Sequence, residues 1–527
     1  MSLVHSRSSA IAMTGITPVL CLVLALLSIS QSFHNSSTPQ RDVIVNTDKP
    51  LHSVDRRFLS VAIDVHLIRN KWHYFDTSSV RVQTLARGLS PAILRIGGTD
   101  GDFAIFQETD ENALHGDPLS TNRKPLAFDD LGLEHPSKFR SNFNITPADV
   151  DKLRDFAVSA GFDVYFGLNV ALRSKDGTWN YTNPIELVKY ATRKAYNFSW
   201  ELGNEPMDLA KFGHPVDAFE LGKSFQTLRE ILDHSRLGGN LVGPDITSIS
   251  KRKKTDYLSG FLDVAGHAIQ AVTWHQYYMN GKNCSIEDFY NPDVLDAMIR
   301  EASILNDIVS QHAPGKRGWM GETSSAYGGG ATNMSDRYVA GFTWLDKLGI
   351  AAMLQQDVVI RQTFFGGRYG LLTLDLLPTP DYWLSLLYKR LVGQRVLDVQ
   401  DAQKEGRMTR VYAHCTNTQN TNYNASAVTI IALNINTETA VTLRMTGSLQ
   451  GLDADQFLLT PTNGDLQSSD VELNGEVLKL VDDHTLPSLS PRRVAHDNIV
   501  VPPLSFGFFV VPMATAHACT QSHDMTS

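Results

Sequence analysis

Several signatures are missing from this 527-residue sequence, and each absence removes a class of chemistry. No group of His and Cys has zinc-ligand spacing, no P-loop is present to cradle a phosphate, and no dinucleotide fingerprint follows the first apolar strand. Ser324-Ser325 lacks the nucleophile-elbow pattern of serine hydrolases. Basic charge is not in excess, because 47 Lys and Arg stand against 56 Asp and Glu for a formal net charge of -9. Nothing global therefore favours nucleic acid, and a polyanionic partner would need a local basic patch. Only one apolar run, Val19 to Leu27, has membrane character; it is short for a bilayer, and no later stretch of ~20 apolar residues follows. No cofactor or metal is implied, and a monomer without membrane insertion is expected.

What the first residues do carry is an address. Arg7, the apolar run and the small polar residues from Ser28 to Ser32 have the layout of a secretory signal peptide over residues 1–32, with a signal anchor as the competing reading. Cysteine is scarce: without Cys21, the mature chain keeps Cys284, Cys415 and Cys519. In an oxidising compartment the two C-terminal residues, Cys415 and Cys519, are expected to pair and Cys284 to stay free. Sequons at Asn35, Asn144, Asn180, Asn197, Asn283, Asn333 and Asn424 agree with an extracellular or lysosomal glycoprotein.

Residues 58–395 read as repeated short apolar strands separated by helix-length segments. The strands are Phe58 to Val65, Ala92 to Gly98, Phe162 to Val170, Phe198 to Glu205, Gly239 to Asp245, Val272 to Tyr278, Trp319 to Thr323 and Val358 to Phe365. Eight such units predict an α/β fold, a closed (β/α)8 TIM barrel, with an open doubly wound sheet as the competitor. Val150, Leu153, Phe156 and Ala157 have helical spacing. A polar stretch at 107–142 exceeds an ordinary βα loop and reads as an insertion, a binding loop or a processing site. From residue 396 the pattern turns to alternating strands with tight turns, which predicts a C-terminal all-β sandwich; Asp42 to Val45, in the segment 33–57, is expected to add an edge strand to it.

The chemistry points to two glutamates. Hydrolysis of a glycosidic bond needs a proton donor for the leaving oxygen and a nucleophile or base across the sugar ring. Glu205 ends the fourth strand in Gly203-Asn204-Glu205-Pro206, and Glu322 ends the seventh in Gly321-Glu322-Thr323, so barrel closure can bring them across one cleft. Glu205 is read as acid/base and Glu322 as nucleophile, with His275 and Tyr277 as nearby donors and Asn204 on a sugar hydroxyl. Glu201 is placed in the barrel wall or an ion pair outside the strand end, Asp64 in the cleft, and Asp245 at even odds as structural.

The stretches LSPAILRIGGTD, YNFSWELGNEP, VTWHQYYMNG, GETSSAYGGGA and PDYWLSLLYKRLVG resemble glycoside hydrolase family 79, the heparanase family of retaining endo-β-glucuronidases. That resemblance covers nearly the whole mature chain. It implies the same acid/base at Glu205 and nucleophile at Glu322, substrate contacts at Asp64, Thr99, Asn204, Lys211, His275, Tyr277, Gly328, Gly329, Gln362 and Tyr369, and a Cys415–Cys519 disulfide. A basic segment that binds sulfated substrate in the family has a remnant at Lys138-Phe139-Arg140. The substrate implied is the glycosaminoglycan of proteoglycans, heparan sulfate, for which Lys251, Arg252, Lys253 and Lys254 supply charge. Hyaluronan, cut by a leech-type branch of the family, is the alternative, and a non-catalytic secreted glycan-binding protein ranks below both. Departures from the family pattern are Ser248 for a Gln contact, Lys282 for an Arg, Asp100 for a Lys, and a shorter connection after the second strand.

Overall fold

Eight parallel strands make one sheet in a computed structural model that describes residues 38–108, 140–234, 238–400, 407–419 and 422–521. They are Leu59–Asp64 (β1), Ala92–Gly97 (β2), Phe162–Leu168 (β3), Phe198–Leu202 (β4), Gly243–Ile246 (β5), Val272–Asn280 (β6), Gly318–Tyr327 (β7) and Gln356–Arg361 (β8). Their order is β4-β3-β2-β1-β8-β7-β6-β5. Trp200 N donates to Asn240 O at 2.8 Å and Val242 N to Trp200 O at 3.1 Å, which closes β4 on β5 and makes the sheet a barrel. An open doubly wound sheet would leave those two strands as edges.

Alternation sorts the barrel interior into two layers. Ala62, Ile93, Tyr165, Trp319, Val358 and Ile360 form a separate buried apolar cluster. Two residues further along their strands, on the same face, come Asp64, Arg95 and Gln362. The lower layer is thus apolar and the upper one polar, so function is confined to the C-terminal strand ends. Outside, helices cover the apolar strand backs. The helix Pro147–Ala160 starts with a capping box, in which Thr146 and Asp149 satisfy each other's backbone N–H, and ends at Gly161 with φ 73°.

A second, all-β part follows. Val392–Leu397 (β9), Thr409–Thr416 (β10), Val428–Asn434 (β11), Ala454–Pro461 (β12) and Ser505–Val511 (β13) form an antiparallel sheet in the order β9-β10-β11-β13-β12, extended by shorter strands. A four-stranded sheet faces it, and Val43, Leu443, Ile430, Phe509 and Val511 share the apolar core in which the two sheets meet. The N-terminal strand Gln40–Val45 is not at an edge as expected. It is paired on both sides, parallel to Val441–Thr446 and antiparallel to Val399–Gln400. Alternation reports which face of a strand is buried, here Val43 and Val45, but not which of its edges are paired, and the partners lie far along the chain. Cys415 and Cys519 are joined by a disulfide and Cys284 is a free thiol.

The signal segment 1–32, Asn35, Lys138 and most of the 107–142 insertion lie outside the described residues. The insertion is bracketed by a short parallel pair, Ala104–Phe106 with Phe143–Ile145. Among the described residues no helix is long and apolar enough to cross a membrane.

Candidate active site

Glu205 does not end a strand. β4 stops at Leu202; the chain then turns through Gly203 at φ 85° and Glu205 itself at φ 47°, before Pro206 opens a short helical turn. A left-handed conformation costs a non-glycine residue ~1–2 kcal/mol. It is held by Glu205 N donating to Asp245 O at 3.0 Å, and Asp245 is itself left-handed at φ 60°. Such strain concentrates where a side chain must be aimed.

Glu322 is aimed differently. Trp274 pairs with Met320, but the next residue of β6, His275, pairs with Glu322, and a matching slip separates Met320 and Thr323 from their β8 partners. β7 therefore carries one extra residue, a bulge around Gly321. A bulge turns a side chain away from its regular alternation, and here it presents Glu322 to the cleft.

The two carboxylates converge. One oxygen of Glu205, one oxygen of Glu322 and a ring nitrogen of His275 all lie within 4.8 Å of one another. Tyr277 donates its hydroxyl to Glu322 Oε1 at 2.7 Å, and Arg95 Nη1 donates to Glu322 Oε2 at 3.0 Å. His275 bridges Glu205 Oε1 at 2.9 Å and Asp245 Oδ1 at 2.8 Å. With both ring nitrogens so engaged, the imidazole has no lone pair to offer an ion.

Arg95 is the hub beneath this pair. Fully buried, it also donates to Glu201 Oε2 at 2.8 Å, to Asn204 Oδ1 at 2.8 Å and to Asp245 Oδ2. Asn204 Oδ1 further accepts from Gly98 N at 3.1 Å, which fixes the amide beside Glu205. Asp102 supports it from below, accepting from Asn204 N at 2.8 Å and Val170 N at 3.0 Å.

Electrostatics separates the two glutamates. Burial raises the Glu205 pKa above the ordinary carboxylate range; the Glu322 charge adds to this and the His275 contact opposes it. Burial works against a charged imidazole, yet Asp245 and Glu322 raise the His275 pKa well above the usual histidine value, which favours the imidazolium. Despite burial, Arg95 and His275 keep the Asp245 carboxyl low. Burial and the neighbouring Glu322 raise the Tyr277 phenol, which stays a donor. Glu201 is pushed up to about 7 by burial and then by Asp245, against Arg95.

A second ionic cluster sits on the cleft wall. Asp100 accepts from His66 Nδ1 at 2.8 Å, Arg69 Nη1 at 2.9 Å and Arg140 Nη1. Against burial, these partners hold its carboxyl at about 2.

All ten residues named by resemblance as contacts, from Asp64 to Tyr369, line one cleft of about 810 Å³ together with Glu205 and Glu322. The basic run divides. Lys251 and Lys254 line the cleft, whereas Arg252 and Lys253 do not; the Arg252 side chain is 93% exposed and faces Asp256 at 3.6 Å. His275 lies 4.0 Å from Glu322 and hydrogen-bonds Glu205, so only Tyr277 of the two expected donors bonds Glu322. Glu201 lies within β4, in the barrel interior, and its ion pair is with Arg95. Ser248 donates to Glu301, an unanticipated carboxylate on the same wall. The sequon residues Asn144, Asn180, Asn197, Asn283, Asn333 and Asn424 are all exposed.

Comparison with known proteins agrees with this architecture. Residues 73–349 match the model of the Glycosyl hydrolase family 79, N-terminal domain. The chain is 40% identical to heparanase of Gallus gallus over 95% of this chain and 99% of that protein. It is 34% identical to a hyaluronoglucuronidase of Hirudo nipponia over 90% of this chain and 99% of that one. Inactive heparanase-2 of Mus musculus is 35% identical, covering 97% of this chain and 98% of its own length.

Proposed function

The chain belongs to glycosyl hydrolase family 79, and from that premise we propose that it is a retaining endo-β-glucuronidase that cleaves internal glucuronic acid linkages of heparan sulfate. The observation that carries the mechanism is the approach of Glu205 and Glu322, with one oxygen of each within 4.8 Å of the other. Retention calls for carboxyl groups ~5–5.5 Å apart and inversion for ~6.5–9.5 Å, to admit a water.

In this reading Glu205, whose affinity for a proton is raised by burial, delivers one to the glycosidic oxygen. Glu322, oriented by Tyr277 and Arg95, attacks the anomeric carbon from the other face and forms a glycosyl ester. Glu205 then takes a proton from the incoming water, which cleaves that ester with overall retention. His275 steadies Glu205 through the change of charge. Asp245 and Arg95 keep the imidazolium and the nucleophile in place.

Two cations in the cleft favour a sulfated polymer. Lys251 and Lys254 line it. The helix they begin, Arg252–Ala265, has no acidic residue in its first turn. Positive charge at that end opposes the helix dipole, a cost that a bound anion offsets. Hyaluronan is the second reading, favoured by Asp100, whose carboxylate compensates Arg69 and Arg140 on the cleft wall. A purely glycan-binding role, in line with an inactive relative, is disfavoured by the intact carboxylate pair, with Glu322 held by Tyr277 and Arg95 and Glu205 by His275. Passage through the secretory route fits the exposed sequons and the disulfide.

Mass spectrometry of products from heparan sulfate and hyaluronan, incubated side by side at pH 5 and pH 7, tests the substrate. Sulfated fragments with reducing-end glucuronic acid are expected. Hyaluronan fragments alone would move the chain to the second reading, and no product from either would return it to the binding role. Proton NMR of the first-formed anomer tests the mechanism, with the β-anomer expected.

A further inference from the structure

Lys347 sits midway along the helix Ala340–Met353 and is fully buried. Its Nζ donates to Thr323 Oγ1 at 2.6 Å, to Ser324 O at 2.8 Å and to Gln276 O at 3.2 Å. All three partners are neutral oxygens, and the amine also lies 4.2 Å from the centroid of the Tyr278 ring. Burial, with Arg361 adding to it, pulls the amine well below the ordinary lysine range. Burying an amine costs free energy unless its donors are satisfied, so a core helix has no use for one unless those donors are needed.

The partners explain the need. Gln276 precedes Tyr277 on β6, and Thr323 and Ser324 follow Glu322 on β7. This is where β7 carries its extra residue and the β6–β7 register slips. A bulge leaves ladder groups short of partners and the strand prone to shift. Thr323 Oγ1 donates onward to Gln276 O, so one amine and one hydroxyl tie both strands together behind the bulge. On the opposite face of the same strands, Tyr277 and Glu322 meet at 2.7 Å.

We propose that Lys347 is a positioning residue that fixes the backbones of β6 and β7 at the bulge so that Tyr277 and Glu322 stay in hydrogen-bond register in the cleft. The inference rests on the assignment of Glu322 as nucleophile. A misplacement of ~1 Å at a reacting group costs ~100-fold in rate.

The test uses the full-length secreted protein. Lys347→Met keeps the length of the side chain and removes every donor; Thr323→Val removes only the shared hydroxyl. Thermal unfolding, kcat and KM on an aryl β-glucuronide, and a crystal structure are measured for each. Lys347→Met is expected to lose ~10–100-fold in kcat with KM little changed, and the Tyr277–Glu322 contact to open. Thr323→Val should show a smaller loss of the same kind, and the double variant should be no worse than Lys347→Met. Unchanged kcat and an unchanged 2.7 Å contact alongside a lower melting temperature would overturn the proposal, because a merely structural lysine predicts that result. Should Lys347→Met not fold, Thr323→Val decides by the same two readouts. If the wild type cleaves no β-glucuronide, the functional assignment fails, and the crystal structures of the variants still decide whether Lys347 sets the contact.

Discussion

Replacing Asp102 with Asn should flatten the pH dependence of stability. Asp102 is buried beneath Asn204, and burial pushes its carboxyl up to about 7 from an ordinary 3.8, outweighing the two N–H donors it accepts. Below pH ~4 the carboxyl is protonated in both the folded and the unfolded chain. Between pH ~4 and 7 the unfolded chain releases this proton while the folded chain keeps it, so stability falls as pH rises. At ~1.4 kcal/mol for each tenfold change in proton affinity, the full displacement amounts to at most ~4 kcal/mol. Glu201 at about 7, Asp64 at about 6 and Asp357 at about 6, each raised mainly by burial, slope the same way. The raised His275 contributes stability below its unfolded pKa and loses it at higher pH. Burial lowers His414 to about 4, which slopes the other way over the same range but is outweighed by the four raised carboxyls, so stability is expected to decline from pH 4.5 to pH 7.5. In Asp102→Asn the amide nitrogen cannot accept a backbone N–H, so the variant should be less stable at pH 4.5 by ~1–3 kcal/mol. It should nevertheless lose less on going to pH 7.5. Calorimetric melting temperatures across pH 4.5 to 7.5 measure both slopes. A wild type that gains stability between pH 5 and 7, or a variant with an unchanged slope, would refute the argument.

Glu205→Gln should lose ~100–10,000-fold in kcat on the polymer, less on an aryl glycoside with a good leaving group, and yield β-glucuronyl azide when azide is added. An azide product of inverted configuration from Glu205→Gln, with the retained β-azide coming from Glu322→Gln instead, would exchange the two roles. Tyr277→Phe removes one charge-assisted hydrogen bond worth ~1.5–3 kcal/mol, so steady-state kinetics should show a ~10–100-fold fall in kcat with the fold intact by circular dichroism. Cys415→Ser with Cys519→Ser opens a link between residues 104 positions apart and should lower unfolding free energy by ~2–5 kcal/mol in denaturant titrations. Equal midpoints for variant and wild type would contradict it.

Most of the barrel could be read from the chain because each strand is an apolar run that must be covered on both faces. The carboxylate pair was legible for a related reason, since a Glu beside glycine within or just past an apolar barrel strand has no packing role, although Glu205 lies beyond the end of β4 and Glu322 within β7 rather than at its end. Arg95 was not legible. It lies inside the apolar stretch AILRIGG, and its partners Glu201, Asp245 and Glu322 are 106, 150 and 227 residues away, so no local pattern announces an interior cation. Asp102 and Lys347 escaped for the same reason, being polar groups whose justification is wholly tertiary. The run Lys251 to Lys254 misled in part, because helical geometry turns Arg252 and Lys253 away from the cleft that Lys251 and Lys254 line. Edge and interior strands also look alike when the neighbours are far off, as the placement of Gln40–Val45 illustrates.

That placement has a consequence for biogenesis. Asp42 pairs with Arg444, 402 positions later, across a parallel ladder. During synthesis Gln40–Val45 emerges first and must wait, hydrogen-bonding groups exposed, until nearly the whole polypeptide has followed. The four-stranded sheet is thus a clasp between distant segments of the chain, and a nascent chain halted anywhere before residue 441 presents an open sticky edge to the folding machinery of its compartment.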